Sequence, residues 1–233
     1  MIAMAKKNGH AKKSARKASG AGGGRKLSKA KIFDIPNYAQ TEQFTSSAAC
    51  ALMVLKYINK RTQMKKESEF EIWQHAVNGS VWHGSRYGLA YALAVRGARP
   101  QITSNVKDEG YERKLAVYEG INLDTLSASF NEIRGKARDL KVKETHGTVS
   151  VNAIKKALNG RKIPIVLVNA NTINPYLESS PHWVVVKGYD KDTFYINDPY
   201  SDSTVTMEPD AFKAALGYEN EFHMITVDAK RKQ

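Results

Sequence analysis

Four polar residues have the types and the spacing of a site that attacks amide bonds. Ser46 opens an apolar helical pattern, Gln40 lies six residues before it, His182 starts an apolar strand pattern, and Asp198 ends the next one. A hydroxyl or thiol nucleophile needs a base, a group that orients the base, and donors for the oxyanion. We therefore assign Ser46 to the nucleophile position, His182 as base and acid, Asp198 as the orienting group and Gln40 as an oxyanion donor.

Each of these residues also has a simpler explanation. Thr45 or Ser46 can cap the helix, a histidine at a strand start is usually an ordinary polar residue, and Asn-Asp-Pro is a common turn sequence. Their order along the chain is what favours a site. If residues 190–193 form a turn between the two strands, His182 and Asp198 lie side by side, and the aspartate can fix the tautomer that presents the other ring nitrogen to Ser46.

The elements that must position these residues are helices first and strands afterwards. Helical spacing of apolar residues predicts helices, whereas β-rich segments in the second half predict strands. The predicted helices cover 46–59, 67–77, 86–96, two segments of 108–140 interrupted at Gly120, 149–158 and 209–216, with a loop at 78–85. The predicted strands cover 99–104, 163–168, 183–189, 193–197, 203–207 and 221–227. This order predicts an α+β domain.

The same motifs resemble the double-glycine (bacteriocin-processing) peptidase-like branch of the papain-fold cysteine peptidases. These motifs are Gln40, the helix segment 46–57, the segment 182–190 (His-Trp-Val-Val-Val-Lys-Gly-Tyr-Asp) and Asp198-Pro199. The segments 71–73 and 87–97 also look like those of a subgroup of that branch. The resemblance spans about residues 35–227. It implies a helical N-terminal half packed on an antiparallel sheet, and thiol-mediated cleavage or acyl transfer at an amide bond, often after Gly-Gly or Gly-Ala.

The nucleophile position departs from that family, because the family pattern has a cysteine where this chain has Ser46. Cys50 does not replace it, since it lies one helical turn further along among apolar neighbours, as a core thiol would. Three explanations stay open for Ser46, in this order: a replacement that inactivates the peptidase, a natural peptidase-like protein that binds without cleaving, and a genuine serine nucleophile. The alternative function is thus a catalytically dead binding module.

The positive charge is concentrated in residues 1–31, which contain ten Lys or Arg and no acidic residue, whereas the rest of the chain has 26 basic and 23 acidic residues. This composition predicts a disordered basic tail over 1–31 and one papain-like domain over 32–233. The tail is either an arm for nucleic acid or another anionic partner or a solvated segment. Its Gly22-Gly23-Gly24 stretch is a candidate self-cleavage or transfer site.

Composition excludes several other classes of protein. A single cysteine, Cys50, rules out an internal disulfide and fits a cytoplasmic protein. No apolar run is long enough for a membrane span, and the basic N-terminus lacks the apolar region of a secretory signal. No residue spacing indicates a metal ion or another cofactor. We expect a peptide or protein substrate. His75 and His83 could line its groove, and His146 and His223 have no recognisable partner.

Overall fold

A computed structural model describes residues 31–79, 81–201 and 203–230. The tail predicted over 1–31 therefore lies outside the described residues, apart from Lys31. The helices are α1 (Ser46–Ile58), α2 (Lys66–Ala76), α3 (Arg86–Val95), α4 (Tyr111–Tyr118), α5 (Leu123–Asp139), α6 (Val151–Asn159), α7 (Ala170–Ile173) and α8 (Pro209–Ala215). The strands are β1 (Lys31–Ile32), β2 (Val77–Asn78), β3 (Val81–Gly84), β4 (Pro100–Ser104), β5 (Lys143–His146), β6 (Lys162–Asn169), β7 (Pro181–Tyr189), β8 (Phe194–Asp198), β9 (Ser203–Met207) and β10 (His223–Asp228).

One large sheet organises these elements, in the order β5-β4-β10-β6-β7-β8-β9, with β1 paired to β7. Its strand pairs are antiparallel except for β4 and β5, which run parallel. In the centre of the sheet, β6 and β7 pair with Leu167 opposite Trp183 and Val168 opposite His182. The predicted α+β class is therefore confirmed.

Both faces of the central strands are buried, which explains their continuous apolar sequences. Alternate residues of a strand point to opposite faces. Ile165 and Leu167 of β6 join the core that contains α1, α2 and α3, whereas Val166 and Val168 join a second core beneath α6 and α8. Helix α1 is buried on nearly all sides, as expected for a helix that is apolar around its whole circumference.

The predicted loop at 78–85 was the main error in the sequence-based assignment. Most of this segment belongs to the β2–β3 hairpin, in which Gly79 adopts a left-handed backbone conformation with φ of +59°. Asn78 pairs with Val81, so the sequence signal for the two-residue loop is Gly79-Ser80, which the interpretation overlooked. Strand β5 was also missed, because its sequence Lys-Glu-Thr-His is exposed throughout and lacks apolar alternation. The short elements β1 and α7 were not predicted either.

Within the described ranges, none of the helices combines the length and the apolar character that crossing a bilayer requires.

Candidate active site

Helix α1 and strand β7 bring the predicted nucleophile position and the predicted base together. The main-chain N–H of Trp183, the residue after His182, donates a hydrogen bond to Ser46 Oγ at 3.3 Å. One helical turn further along α1, Cys50 Sγ donates to the main-chain oxygen of Trp183 at 3.1 Å. Strand β8 pairs with β7 only from Val185 onward. The main-chain N–H and oxygen of Trp183 are therefore not used by β8 and can bond to α1. These two bonds hold α1 beside His182.

His182 and Asp198 form a buried pair at the same end of the sheet. His182 Nε2 lies 2.8 Å from Asp198 Oδ1, and the exposed fractions of the two residues are 5% and 3%. The main-chain N–H of Tyr200 donates to the same carboxylate oxygen at 3.0 Å. Because a carboxylate accepts hydrogen bonds, Nε2 carries the ring proton in this arrangement. A neutral His182 ring therefore keeps Nδ1 as its acceptor nitrogen.

Ser46 is the first residue of α1 and is 5% exposed. The N–H groups of a helix's first turn have no partner within the helix, and their field favours an anion there. The hydrogen bonds of the described residues include none between Ser46 and His182. The serine hydroxyl is thus held by the main chain of β7 rather than by the base.

We predicted that the side chain of Thr45 or Ser46 caps α1, and this prediction is wrong, because no side chain among the described residues caps the N-terminus of α1. Thr45 is the N-cap residue of α1 by position, but its side chain makes no capping bond to the helix. Its hydroxyl instead donates to the main-chain oxygen of Glu42 at 2.9 Å and accepts from the N–H of Glu42 at 3.2 Å. These bonds close the loop before the helix.

Gln40 lies in the wall of the site, but its amide group is engaged with its own loop. Nε2 donates to the main-chain oxygens of Glu42 at 2.8 Å and Gln43 at 3.1 Å. The main-chain N–H of Gln40 donates to the oxygen of Pro199 at 2.8 Å, which ties this loop to the turn after Asp198. An oxyanion would have to compete for hydrogens that are already used, so the oxyanion role of Gln40 stays a prediction.

Cys50 is a core thiol, as its apolar neighbours indicated. Its side chain is fully buried, and this burial raises the pKa of the Cys50 thiol well above the ordinary value. A thiol that stays protonated is a poor nucleophile, since the thiolate is the reactive form.

A cleft of about 600 Å³ opens beside the His182–Asp198 pair, with Gln40 and His182 in its wall. Its aromatic lining comprises Phe44, Trp82, Tyr176 and Tyr200. Trp82 is 56% exposed, yet it is fixed in place: its main-chain oxygen accepts a hydrogen bond from Trp73 Nε1 at 2.9 Å, and its ring contacts that of Phe44 edge to face.

Of the two histidines predicted to line a groove, His83 does so. It lies in the cleft, where burial and then the neighbouring His182 lower the pKa of His83. His75 instead contacts the ring of Tyr91 and, through Nδ1 at 3.2 Å, the guanidinium of Arg96. His83 Nδ1 is buried without a hydrogen-bond partner among the described residues.

Sequence reasoning missed a buried polar cluster behind Trp183. Gly84 provides its centre, because the main-chain oxygen of Gly84 accepts hydrogen bonds from Trp183 Nε1 at 2.9 Å and from the Tyr111 hydroxyl at 3.0 Å. The ring of His223 stacks on Trp183 with ring centroids 6.4 Å apart. His223 Nε2 lies 3.5 Å from a carboxylate oxygen of Glu221. His223, which seemed to lack a partner, therefore packs against the residue that holds Ser46.

Two further members of this cluster are a fully buried acid and a fully buried base. Burial raises the pKa of Glu112 to about 7, although Asn78 Nδ2 donates to its carboxylate at 2.6 Å. Arg86 donates through one nitrogen to the main-chain oxygen of Asp108 at 2.6 Å and packs over the ring of Tyr87. The cluster joins three segments that are distant in the chain, near residues 84, 111 and 223, so no local spacing could have revealed it.

A buried histidine–aspartate pair beside the N-terminus of a central helix, on a largely antiparallel sheet, is the arrangement of a papain-type peptidase. The chain belongs to the Peptidase C39-like family, whose model matches residues 35–232. The sequence prediction of this family is thereby confirmed, and with it a peptidase-type relationship.

Two solved structures are similar to this chain at low sequence identity. A C39-like peptidase from Bacillus anthracis is 15% identical, with a TM-score of 0.46 over 88% of this chain and 100% of the other. A double glycine motif protease from an AMS/PCAT transporter, in complex with the leader peptide, is 14% identical, with a TM-score of 0.26 over 84% of this chain and 94% of the other.

Proposed function

We propose that this cleft is the active site of a cysteine-type peptidase or amide acyltransferase, and that Ser46 stands at the nucleophile position as an inactivating replacement. The observation that carries the proposal is the buried His182–Asp198 pair at 2.8 Å, set beside the first residue of α1. A carboxylate partner, a neighbouring helix N-terminus and an open cleft are each unnecessary for a histidine with a purely structural role. Their combination at His182 therefore favours a catalytic role.

With a cysteine at position 46, the site supplies every group that amide cleavage needs. The thiolate adds to the carbonyl carbon, and the oxyanion takes hydrogen bonds from the main-chain N–H of residue 46 and from Gln40 if its amide is released from the loop. The His182 imidazolium gives its proton to the leaving nitrogen as the C–N bond breaks, which leaves the acyl group on sulfur. Water or an amine then takes the acyl group and returns a proton to His182.

Ser46 itself is poorly placed for this chemistry. Its Oγ accepts a hydrogen bond from Trp183 and has none to His182. A helix N-terminus stabilises an anion by about 0.3–1 kcal/mol, up to ~2 kcal/mol when partly buried, which lowers a pKa by at most about 1.5 units. A hydroxyl is a weaker acid than a thiol by several such units, so the helix field cannot replace the missing base.

The test is cleavage of a synthetic peptide of residues 17–31 by the Ser46→Cys chain, followed by mass spectrometry. We expect cleavage or transfer by Ser46→Cys and, under the same conditions, none above background by the Ser46 chain or by Ser46→Ala. Two outcomes would count against the proposal: a Ser46→Cys chain that is folded but as inactive as Ser46→Ala, and a Ser46 chain that cleaves as well as Ser46→Cys.

The basic tail is our candidate for a natural substrate, because its glycine run Gly22-Gly23-Gly24 lies between two basic clusters. The resemblance to glycine-preferring peptidases supports this choice. The protease–leader complex among the similar structures is a precedent for a peptide ligand of that protein, but it does not identify the ligand of this chain.

Chain length makes cleavage of this run within one molecule unfavourable. Lys31 pairs with Tyr189, seven residues along β7 from His182, which is about 23 Å. The seven residues from Gly24 to Lys31 span at most about 25 Å when fully extended. Because β1 runs antiparallel to β7, Lys31 is the end of β1 that lies farther from His182. We therefore propose that a second copy of the protein cleaves the run.

Intact-mass analysis of Ser46→Cys at two protein concentrations about tenfold apart tests this. If cleavage is intermolecular and the cleft is not saturated, the fraction cleaved per unit time rises about tenfold. A rate per molecule that does not change with concentration would show that each chain cleaves its own tail.

The second candidate is a binding module that retains the cleft without catalysis, recruited to an anionic partner through the basic tail. The serine at position 46 and its bond to Trp183 favour this alternative. It predicts that the Ser46 chain binds a DNA duplex with an affinity that falls steeply with salt, and that glutamine at the ten basic positions of the tail removes this binding. It also predicts that Ser46→Cys gains no activity.

A further inference from the structure

The cleft differs in net charge from the chain as a whole. The chain carries 36 Lys and Arg and a net charge of +13. Among the described residues that line the cleft, however, the charged side chains are the carboxylates of Glu119 and Glu178, and no Lys or Arg is present. His83 stays neutral near pH 7, because burial lowers its pKa. The cleft is therefore negative, whereas residues 32–233 as a whole are close to neutral, with 26 basic and 23 acidic residues, and most of the positive charge lies in residues 1–31.

In the part of the chain that the structure describes, no cation pairs with the carboxylate of Glu119 or of Glu178. Glu119 is also the residue at the C-terminal end of α4, where the helix dipole disfavours a negative charge. A bound cation at this end of α4 would be stabilised by the carboxylate and by the helix dipole together.

Exposed aromatic rings lie in the same cleft. Trp82 is 56% exposed, Tyr176 97% and Tyr200 47%. Long aliphatic stems of Lys and Arg pack on such rings, and their charged ends interact favourably with ring faces. Trp82 is held by Trp73 and Phe44, so this surface exists before any ligand binds.

We infer that the cleft selects peptide segments that carry Lys or Arg close to the bond presented to residue 46, with Glu119 and Glu178 as specificity-determining residues. The inference rests on the proposed function, since it names the substrate class of the same site. The chain's own tail has this chemistry: Arg25 and Lys26 directly follow the glycine run. A basic segment of another protein would carry the same recognition elements.

The experiment measures binding without catalysis. The Ser46→Ala chain is titrated with the peptide of residues 17–31 and with the same peptide carrying glutamine at Lys17, Arg25 and Lys26. We expect the basic peptide to bind about tenfold more tightly at low salt, which corresponds to two exposed ion pairs. Glu119→Gln combined with Glu178→Gln should remove that difference, and added salt should reduce it.

The matched control is Glu67→Gln combined with Glu132→Gln, which removes two exposed carboxylates outside the cleft and changes the net charge equally. We expect this control to keep most of the preference for the basic peptide. Equal binding of both peptides by the Ser46→Ala chain, or an equal loss in the control and the cleft variants, would overturn the inference. Either result leaves the cleavage test of Ser46→Cys unaffected, so the two proposals can fail separately.

Two arms then identify the source of the basic segment. If the full-length Ser46→Cys chain is truncated in its own tail, at the same bond that is cut in the added peptide, the tail is supported as the substrate. Cleavage of the added peptide by a chain whose own tail stays intact supports a basic segment of another protein. Faster cleavage of the glutamine peptide than of the basic peptide would contradict charge selection for both sources.

Discussion

Two buried histidines border Trp183, and their environments differ in the features that matter for chemistry. His182 precedes Trp183 in β7, makes a 2.8 Å hydrogen bond with Asp198 and lies in the wall of the cleft. His223 stacks on the Trp183 ring, is 1% exposed, and has its nearest carboxylate oxygen, that of Glu221, 3.5 Å away. Neither ring nitrogen of His223 has a hydrogen-bond partner among the described residues.

This difference shows that burial and a carboxylate neighbour do not by themselves make a catalytic histidine. His182 has an orienting hydrogen bond, access to the cleft and a helix N-terminus next to it, which are the requirements for a base that works on a nucleophile. His223 has none of these, and burial lowers its pKa so that it stays neutral. We therefore propose a chemical role for His182, whereas His223 packs behind Trp183.

The largest effects are expected when the histidine–aspartate pair is broken. In the Ser46→Cys background, His182→Ala should reduce peptide cleavage by about a hundredfold to ten-thousandfold, because general acid–base catalysis contributes this much. Asp198→Asn should also reduce it strongly, since an amide can stabilise the wrong ring tautomer. Steady-state cleavage of the residue 17–31 peptide measures both. His223→Phe is the matched variant, and a loss of similar size there would erase the distinction between the two histidines.

A smaller effect is expected on stability at Glu112, in the cluster behind Trp183. Burial raises the pKa of Glu112 to about 7 from 4.5, so its contribution to stability is full below about pH 4.5 and is lost as pH rises through about 7. Glu112→Gln should therefore leave the free energy of unfolding nearly unchanged at about pH 4 and raise it by ~3 kcal/mol at about pH 8.5. Urea denaturation at both pH values measures this. The exposed variant Glu67→Gln is the control and should show no such pH dependence.

His223 should produce a pH effect of the opposite sign. Its pKa is lowered by burial, so its contribution is present above the unfolded value of about 6.5 and is lost as pH falls toward the folded value. The free energy of unfolding should therefore decline as the solution is acidified below pH 6.5, and His223→Phe should flatten that decline. Thermal unfolding across this range measures it. An unchanged acid profile in His223→Phe would mean that other groups cause the decline.

The smallest effect is expected at Cys50, on the α1 side of Trp183. Cys50→Ala removes the hydrogen bond from Sγ to the Trp183 oxygen and leaves a small cavity, so stability should fall by about 1 kcal/mol. Cleavage by the Ser46→Cys chain should change less than twofold, because the thiol of Cys50 takes no part in it. Denaturation and peptide cleavage of the same two variants measure this. A large loss of cleavage without unfolding would make Cys50 part of the site.

Sequence reasoning was most successful where local pattern and position suffice. The apolar periodicity of α1 predicted its extent within one residue, and the strands that carry His182 and Asp198 were placed closely enough to pair the two side chains. The family followed from the same segments, and the match over residues 35–232 confirms it.

The parts that sequence reasoning missed depend on contacts between distant segments. Strand β5 has a polar sequence and exists because β4 offers it a parallel edge. The engagement of the Gln40 amide by the Glu42 and Gln43 oxygens depends on a loop geometry that spacing does not encode. The hydrogen bond from Trp183 to Ser46 joins the second half of the chain to the first. The stacking of His223 on Trp183 joins β10 to β7, which β6 separates in the sheet.

The measurement that tests the central claim most directly is the pH dependence of alkylation of Ser46→Cys by iodoacetamide. Cys50 is fully buried and stays protonated, so the new thiol dominates the reaction. We predict rapid alkylation with a midpoint well below the ordinary thiol pKa of about 8.5, and a return toward that value in the chain that also carries His182→Ala. A midpoint near 8.5 with ordinary reactivity in both chains would contradict the account.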